Sequence, residues 1–292
     1  MNRIIKLIHA EDAYNQGITG AGVSVAILDT GAYPHLAIKS RIMSFQDYQK
    51  KKRRTYDDNG HGTHVMGIVG GNLPKYGFHG VAPNCLFHVY KILNASGNGK
   101  MEILTSAIWD IIANLKETKI RIINISIGVT QKQINDEYRM LQHAMDEAWR
   151  RGIVIVTAAG NNGPGANTVT LPGASKRVIT VGCSDDSENM INGKLKKGYS
   201  GVGPTDACVI KPEILAPGTN VQSCGIGMPN AFAIKSGTSM AAPVVTGMIA
   251  LLLQKFPHMT PDEVKLKIYQ SITTIEGNPR CWGYLYVDEL LK

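Results

Sequence analysis

Apolar residues along the chain fall into two recurring patterns. Short, nearly unbroken runs rich in Val and Ile occupy Val23–Leu28, Leu86–Leu93, Arg121–Ser126, Ile153–Ala158 and Val178–Gly182. Runs of this length without alternation are expected of strands buried on both faces. Between them, His64–Gly71, Met101–Leu115, Asp136–Arg151 and Ser239–Phe256 have helical length or spacing. The alternation predicts an α/β fold with a mostly parallel central sheet and helices on both faces. Ligands of such sheets bind at the carboxyl ends of the strands. No Pro/Ser-rich linker and no internal repeat divides the chain, so residues 1–292 are expected to form one domain.

Composition narrows the class. Hydrophobic residues make up 43% of the 292 positions and charged residues 18%, the latter below the roughly 25% usual for globular proteins, which excludes a disordered chain. The net charge of +8 permits contact with nucleic acid without arguing for it. The longest apolar stretch, Met240–Leu253, is interrupted by Pro243 and Thr246 and is shorter than the ~20 residues a bilayer requires, so no membrane partner is expected. At the N-terminus Lys6 breaks the apolar run and Glu11 and Asp12 follow it, which does not fit a secretory signal. The five cysteines, Cys85, Cys183, Cys208, Cys224 and Cys281, show no C-x-x-C spacing. Reduced thiols and a cytoplasmic location are the expectation.

Three segments carry suggestive chemistry. Asp29 ends the run Ala26–Gly31 just beyond a strand; His61 lies between glycines in Asp58–His64, at the start of a helix; Ser239 stands in Ser236–Pro243 before a long apolar helix. Singly, each has a plainer reading: a turn former, a helix-start cap and an N-cap. Together they supply a nucleophilic hydroxyl, a base for its proton and an acid to orient that base.

In this order, the segments resemble the active-site motifs of the subtilisin-like serine proteases, whose triad runs Asp, His, Ser. A fourth segment, Ala158–Gly163, resembles that family's oxyanion-hole motif. The likeness extends from about Ile8 to the end and is to an intracellular, bacterial-type member. It implies a serine endopeptidase acting on unfolded or flexible polypeptides through an acyl-enzyme. Asp29 would orient His61, His61 would serve as general base and then acid, Ser239 would be acylated, and Asn161 would hold the oxyanion. Of the substrate-binding positions, Leu93, Asn94, Ala95, Ser96 and Gly97 resemble one edge segment for an extended peptide, and Ser126, Ile127 and Gly128 the other. Met101, Leu104 and Ile127 match apolar pocket positions for the fourth residue upstream of the cut. Asn162 and Thr170 stand where relatives often have Glu and Gly, which implies a smaller primary pocket for a small or medium uncharged residue. Only Met1–His9 precede the matched region, so no separate prodomain is expected.

The resemblance also implies what is missing. Calcium-binding relatives place an Asp where His35 stands here, and the comparable loop, Asn72–Gly80, contains Pro74 and Lys75. A strong calcium site is therefore not expected, and no metal or cofactor is assigned. His61-x-x-His64 lacks the HExxH pattern of a zinc site, and Gly17–Gly22 precedes its strand instead of following it, unlike a dinucleotide loop. Gly-x-Ser-x-Ala departs from the esterase elbow. The basic run Lys50–Arg54 reads first as a solvated loop, with an acidic partner and nucleic acid as lesser readings. A silent peptide-binding scaffold of the same fold is the alternative to an enzyme, and the retained Asp29, His61, Asn161 and Ser239 argue against it.

Overall fold

Every residue of the strand Ser24–Asp29 is buried, because both of its faces are covered. Val25 and Ile27 join one apolar cluster, whereas Ala26 and Leu28 join another. Successive strand residues point to opposite faces, so two cores need an apolar residue at every position. The first cluster is built largely from the helices His61–Gly70 and Thr238–Lys255, the second from Met101–Ala113 and Asp136–Arg150. In this computed structural model, residues 1–128, 136–186, 189–191, 194–196, 198–205, 209–275 and 281–292 are described; Cys208 lies outside them.

Among the described residues the sheet has nine strands, in the spatial order Ile272–Thr273, Gly283–Leu285, Ile214–Ala216, Ile179–Cys183, Val154–Ala158, Ile120–Ile125, Ser24–Asp29, Leu86–Lys91, Ile42–Asp47. All neighbours pair in parallel except Ile272–Thr273 with Gly283–Leu285. The chain leaves Leu86–Lys91 on one side of Ser24–Asp29 and re-enters the sheet at Ile120–Ile125 on the other. This crossover opens a crevice at the carboxyl end of the first strand, where Asp29 stands.

The five expected strands form within one residue of their predicted starts. The first helix differs: it begins at His61 and not at His64. The edge strand Ile42–Asp47 and the helix Pro261–Gln270 were not anticipated. Membrane-crossing length is met by Thr238–Lys255, contrary to the expectation from Met240–Leu253, but 83% of this helix is buried inside the fold. Its apolar character on all sides is that of a core helix.

Candidate active site

Four segments converge at the crevice. Asp29, fully buried at the end of its strand, accepts hydrogen bonds on Oδ1 from the backbone N–H of Thr30 (2.7 Å) and from His61 Nδ1 (2.8 Å); Oδ2 also lies 3.0 Å from His61 Nδ1. A carboxylate can only accept here, so Nδ1 carries the proton and Nε2 is left as the basic nitrogen facing the cleft. Burial alone would lower the pKa of His61. The charge and hydrogen bond of Asp29 outweigh it and raise the imidazole above its ordinary range.

The loop before His61 is shaped by Asp57, which the sequence reading did not single out. Its carboxylate accepts from the N–H groups of Asn59 (3.0 Å), Gly60 (2.7 Å) and Thr63 (3.0 Å), and from the Thr63 hydroxyl (2.7 Å). Burial pushes the Asp57 carboxyl up, but these four donors hold it below the usual range. Thr30 Oγ1 accepts from Gly62 N–H at 2.9 Å, tying the start of the helix to the Asp29 turn. An Asp four residues before a helix-opening His was the available signal.

Ser239 is the second residue of the helix Thr238–Lys255. It lines the same cleft, of about 460 Å³, as His61 and Asn161. Among the described residues, the Ser239 hydroxyl and the His61 ring are not hydrogen-bonded to each other, as is common before substrate binds. The amide of Asn161 has a determined orientation. Its Oδ1 accepts from Thr238 N–H at 3.0 Å and from the Thr238 hydroxyl at 3.1 Å. A backbone N–H only donates, so the oxygen must face Thr238 and the Nδ2 donors are directed to the other side. Gly237 leaves room for them: at φ 141° it adopts a conformation few side chains tolerate, and an added Cβ would meet Asn161 Nδ2 at 3.1 Å.

Leu93, Ser96, Gly97, Ser126, Ile127, Gly128, Asn162 and Thr170 also line the cleft. Four other sequence-selected positions do not. Asn94 turns into its own loop, accepting from Ser96 and Asn98 N–H, while the Ala95 carbonyl accepts from Asn59 Nδ2 at 2.9 Å. Leu104 is buried in the second apolar cluster, against which Met101 and Ile127 pack. Thr170 packs closely against the backbone of Gly128 and Gly160. A Cβ on Gly128 would fall 2.0 Å from Thr170 Oγ1, and one on Gly160 2.5 Å from its Cγ2. Among the described residues, no ionisable side chain apart from His61 lines the cleft.

His64 turns away from the cleft. Its Nε2 lies 3.0 Å from Val221 O and 3.1 Å from Ala233 O, acceptors that require a proton on that nitrogen. Burial, with the charges of His61 and Lys235, pushes its pKa down to about 3. Among the described residues no group of three or more His, Cys, Asp and Glu is arranged to hold a metal ion. His35, which the resemblance sets at a calcium-ligating Asp position, is fully buried. Its Nδ1 accepts from Ala37 N–H (3.1 Å) and its Nε2–H donates to Ala231 O (2.9 Å), so neither nitrogen is available to a cation.

Comparison with known proteins identifies the family of the chain. Residues 20–284 match the model of the subtilase family. The chain is 39% identical over 280 residues to serine protease AprX of Bacillus subtilis, covering 88% of this chain and 63% of that protein, and so spans less than two thirds of that relative's length. It is 34% identical over 275 residues to subtilisin DY of Bacillus licheniformis, covering 93% and 91% respectively. A thermostable alkaline protease of Halalkalibacterium halodurans is 34% identical over 280 residues, covering 96% of this chain and 70% of that protein. With a family match across most of its length and relatives at these identities, the chain belongs to the subtilase family of subtilisin-like serine endopeptidases.

Proposed function

We propose that this chain hydrolyses peptide bonds through an acyl-enzyme, with Ser239 as nucleophile, His61 as proton carrier, Asp29 as its orienting acid and Asn161 as an oxyanion donor. The observation that carries the reading is the pairing of His61 Nδ1 with buried Asp29, in one cleft with Ser239 and an Asn161 amide of fixed orientation. Ser239 Oγ attacks the scissile carbonyl carbon while its proton passes to His61 Nε2. The negative charge that develops on the carbonyl oxygen is met by Asn161 Nδ2 and the N–H groups at the start of the helix. Collapse of the tetrahedral species breaks the C–N bond, and His61 returns the proton to the departing amine. Water then repeats the sequence on the acyl-enzyme and frees Ser239.

The substrates are unfolded or flexible polypeptides, because backbone recognition along Leu93–Gly97 and Ser126–Gly128 requires an extended segment. Thr170 between Gly128 and Gly160, in a cleft with no carboxylate among its described residues, favours a small or medium uncharged residue before the cut. The reading includes a reducing, cytoplasmic setting, which the free thiols of Cys85, Cys183 and Cys224 support and cell fractionation tests. A fluorophosphonate is expected to label the protein at Ser239 and to abolish turnover. Ser239→Ala should eliminate both while the fold persists, and Asn161→Ala should reduce kcat by about 10²–10³. Turnover by Ser239→Ala at the parent rate would overturn the assignment.

A further inference from the structure

The run Lys50–Arg54 takes no part in the chemistry above. We propose that it is an exosite that captures an acidic stretch of the polypeptide substrate, upstream of the bond that is cut. The inference rests on the proteolytic reading and names a substrate class for the same cleft. All five cations are exposed, yet the backbone is held at Lys50 and Lys52. The buried carboxylate of Asp47 accepts from the N–H groups of Gln49 (2.8 Å), Lys50 (3.0 Å) and Lys52 (3.0 Å), and from the Tyr56 hydroxyl (2.8 Å). The Lys52 ammonium sits 4.6 Å from the centre of the Tyr56 ring. A charged loop ordered in this way loses less entropy on meeting a partner than a mobile one.

The nearby carboxylates leave the loop's charge uncompensated. Asp47 and Asp57 are spent on their own loops, and Asp58 is shared between Lys91 (2.7 Å) and Lys50 (3.1 Å). Among the described residues, Lys51, Lys52, Arg53 and Arg54 have no carboxylate at ion-pairing distance. Position gives the charge a target. Tyr48 N–H donates to Lys91 O at 3.1 Å, Gln49 Nε2 donates to Ile92 O at 2.7 Å, and Asn59 Nδ2 donates to Ala95 O at 2.9 Å. Both ends of the loop are therefore pinned to Lys91–Ala95, the wall along which the upstream half of an extended peptide would lie. Among the described residues His61 is the one ionisable group lining the cleft, so charge selection falls to groups outside it. Two guanidinium groups there suit paired carboxylates. A peptide is the fitting occupant, because the loop borders a peptide cleft.

The test uses ten-residue peptides that differ only in a Glu pair or a Gln pair placed beyond the fourth residue before the cut. Binding is measured by anisotropy on Ser239→Ala, and kcat/KM on the active protein. The acidic peptide is expected to be favoured about fivefold at low salt and not at 0.5 M NaCl, as for rim charges. Arg53→Glu with Arg54→Glu should invert the preference, and Arg53→Gln with Arg54→Gln should remove it. Hydrolysis of a four-residue substrate should be unchanged in both double variants. Equal handling of the two peptides, or a preference that survives the reversal, overturns the proposal. Duplex DNA binding sensitive to the reversal, without a peptide preference, would reassign the loop to nucleic acid and also overturn it. If the four-residue substrate is not cleaved by the parent protein, the proteolytic reading fails instead, and binding to Ser239→Ala still decides the exosite.

Discussion

The Asp29 carboxylate acts on His61 in two separable ways, fixing which nitrogen carries the proton and favouring the charged ring. Because that charge and hydrogen bond raise His61 above its ordinary range, the neutral base predominates only at pH above the reference value of about 6.5. The expected kcat/KM therefore rises with pH with a midpoint above 6.5. Asp29→Asn should lower that midpoint and cost about 10⁴ in kcat, since an amide can stabilise the wrong tautomer. A flat profile from pH 5 to 9 would exclude His61 as the base. Thr170 gives the matching test of selectivity. Thr170→Gly removes the side chain packed between Gly128 and Gly160. It should raise kcat/KM for Phe relative to Ala before the cut by about tenfold or more, the scale of a few added methylenes in a pocket; an unchanged ratio would place that pocket elsewhere. That Asp29, His61, Asn161 and Ser239 come together was legible in the sequence through the short motifs that carry the family resemblance. The orientation of the Asn161 amide was not, because its partner Thr238 lies 77 residues away.

Elements were legible in proportion to their burial. Strands covered on both faces leave continuous apolar runs, and all five found in this way belong to the middle and near-middle of the sheet. Ile42–Asp47 lies at an edge, with three exposed and two half-exposed positions, and leaves no such run. Pro261–Gln270 did carry a signal: Thr260 accepts from Glu263 N–H while Glu263 accepts from Thr260 N–H, a capping box readable as T-x-x-E. What no local pattern could reveal is how the elements are locked together, and Lys91 shows this best. Its fully buried ammonium donates to Thr30 O beside Asp29, to Leu93 O (2.9 Å) and to Asp58 before His61 (2.7 Å). One side chain thus joins the Asp29 turn, the loop before His61 and the segment at Leu93. Lys91→Met keeps much of the volume but leaves two carbonyls without this donor, while Asp58 keeps Lys50 (3.1 Å). It should cost about 2 kcal/mol or more and, in the protein that still folds, raise KM and lower kcat together. Asp58→Asn retains an acceptor for the ammonium and should be milder in all three. A Lys91→Met protein with parental melting temperature and kinetics would show that the three segments hold without it.

At the scale of the whole molecule, the question is what ties the loop after the first strand to the far side of the fold. The family resemblance implies that, in calcium-binding members, a cation joins that loop to the segment following the helix His61–Gly70. Here the donors do not suit calcium, which takes six to eight oxygens, usually with carboxylates among them. His35 instead bonds Ala37 and Ala231, and meets the Phe232 ring edge-on at 5.7 Å between centroids. Phe232 in turn packs against Phe78 (4.9 Å) and Tyr76 (6.4 Å), both from the stretch Asn72–Gly80. Asn72 N–H donates to Ala37 O at 2.8 Å and completes the link. A neutral imidazole and three aromatic rings thus make the connection, and its pH dependence follows from the ring. Burial lowers the pKa of His35, with the bond to Ala231 opposing only in part, and His64 is depressed to about 3. Both are neutral in the native state and free to charge in the unfolded one. Their contribution is therefore complete above about pH 6.5 and is lost as pH falls below it toward the native pKa values. Each costs up to about 1.4 kcal/mol per pH unit over that window. The melting temperature at pH 8 is accordingly expected to be the same with EDTA as with added calcium, because a cation stabilises only a native state that it occupies. At pH 5 it should be lower in both, and His35→Gln, which cannot titrate, should reduce the difference between the two pH values. A fall of several degrees with EDTA at pH 8, reversed by calcium, would show that a cation does join these loops and that His35 is not the link.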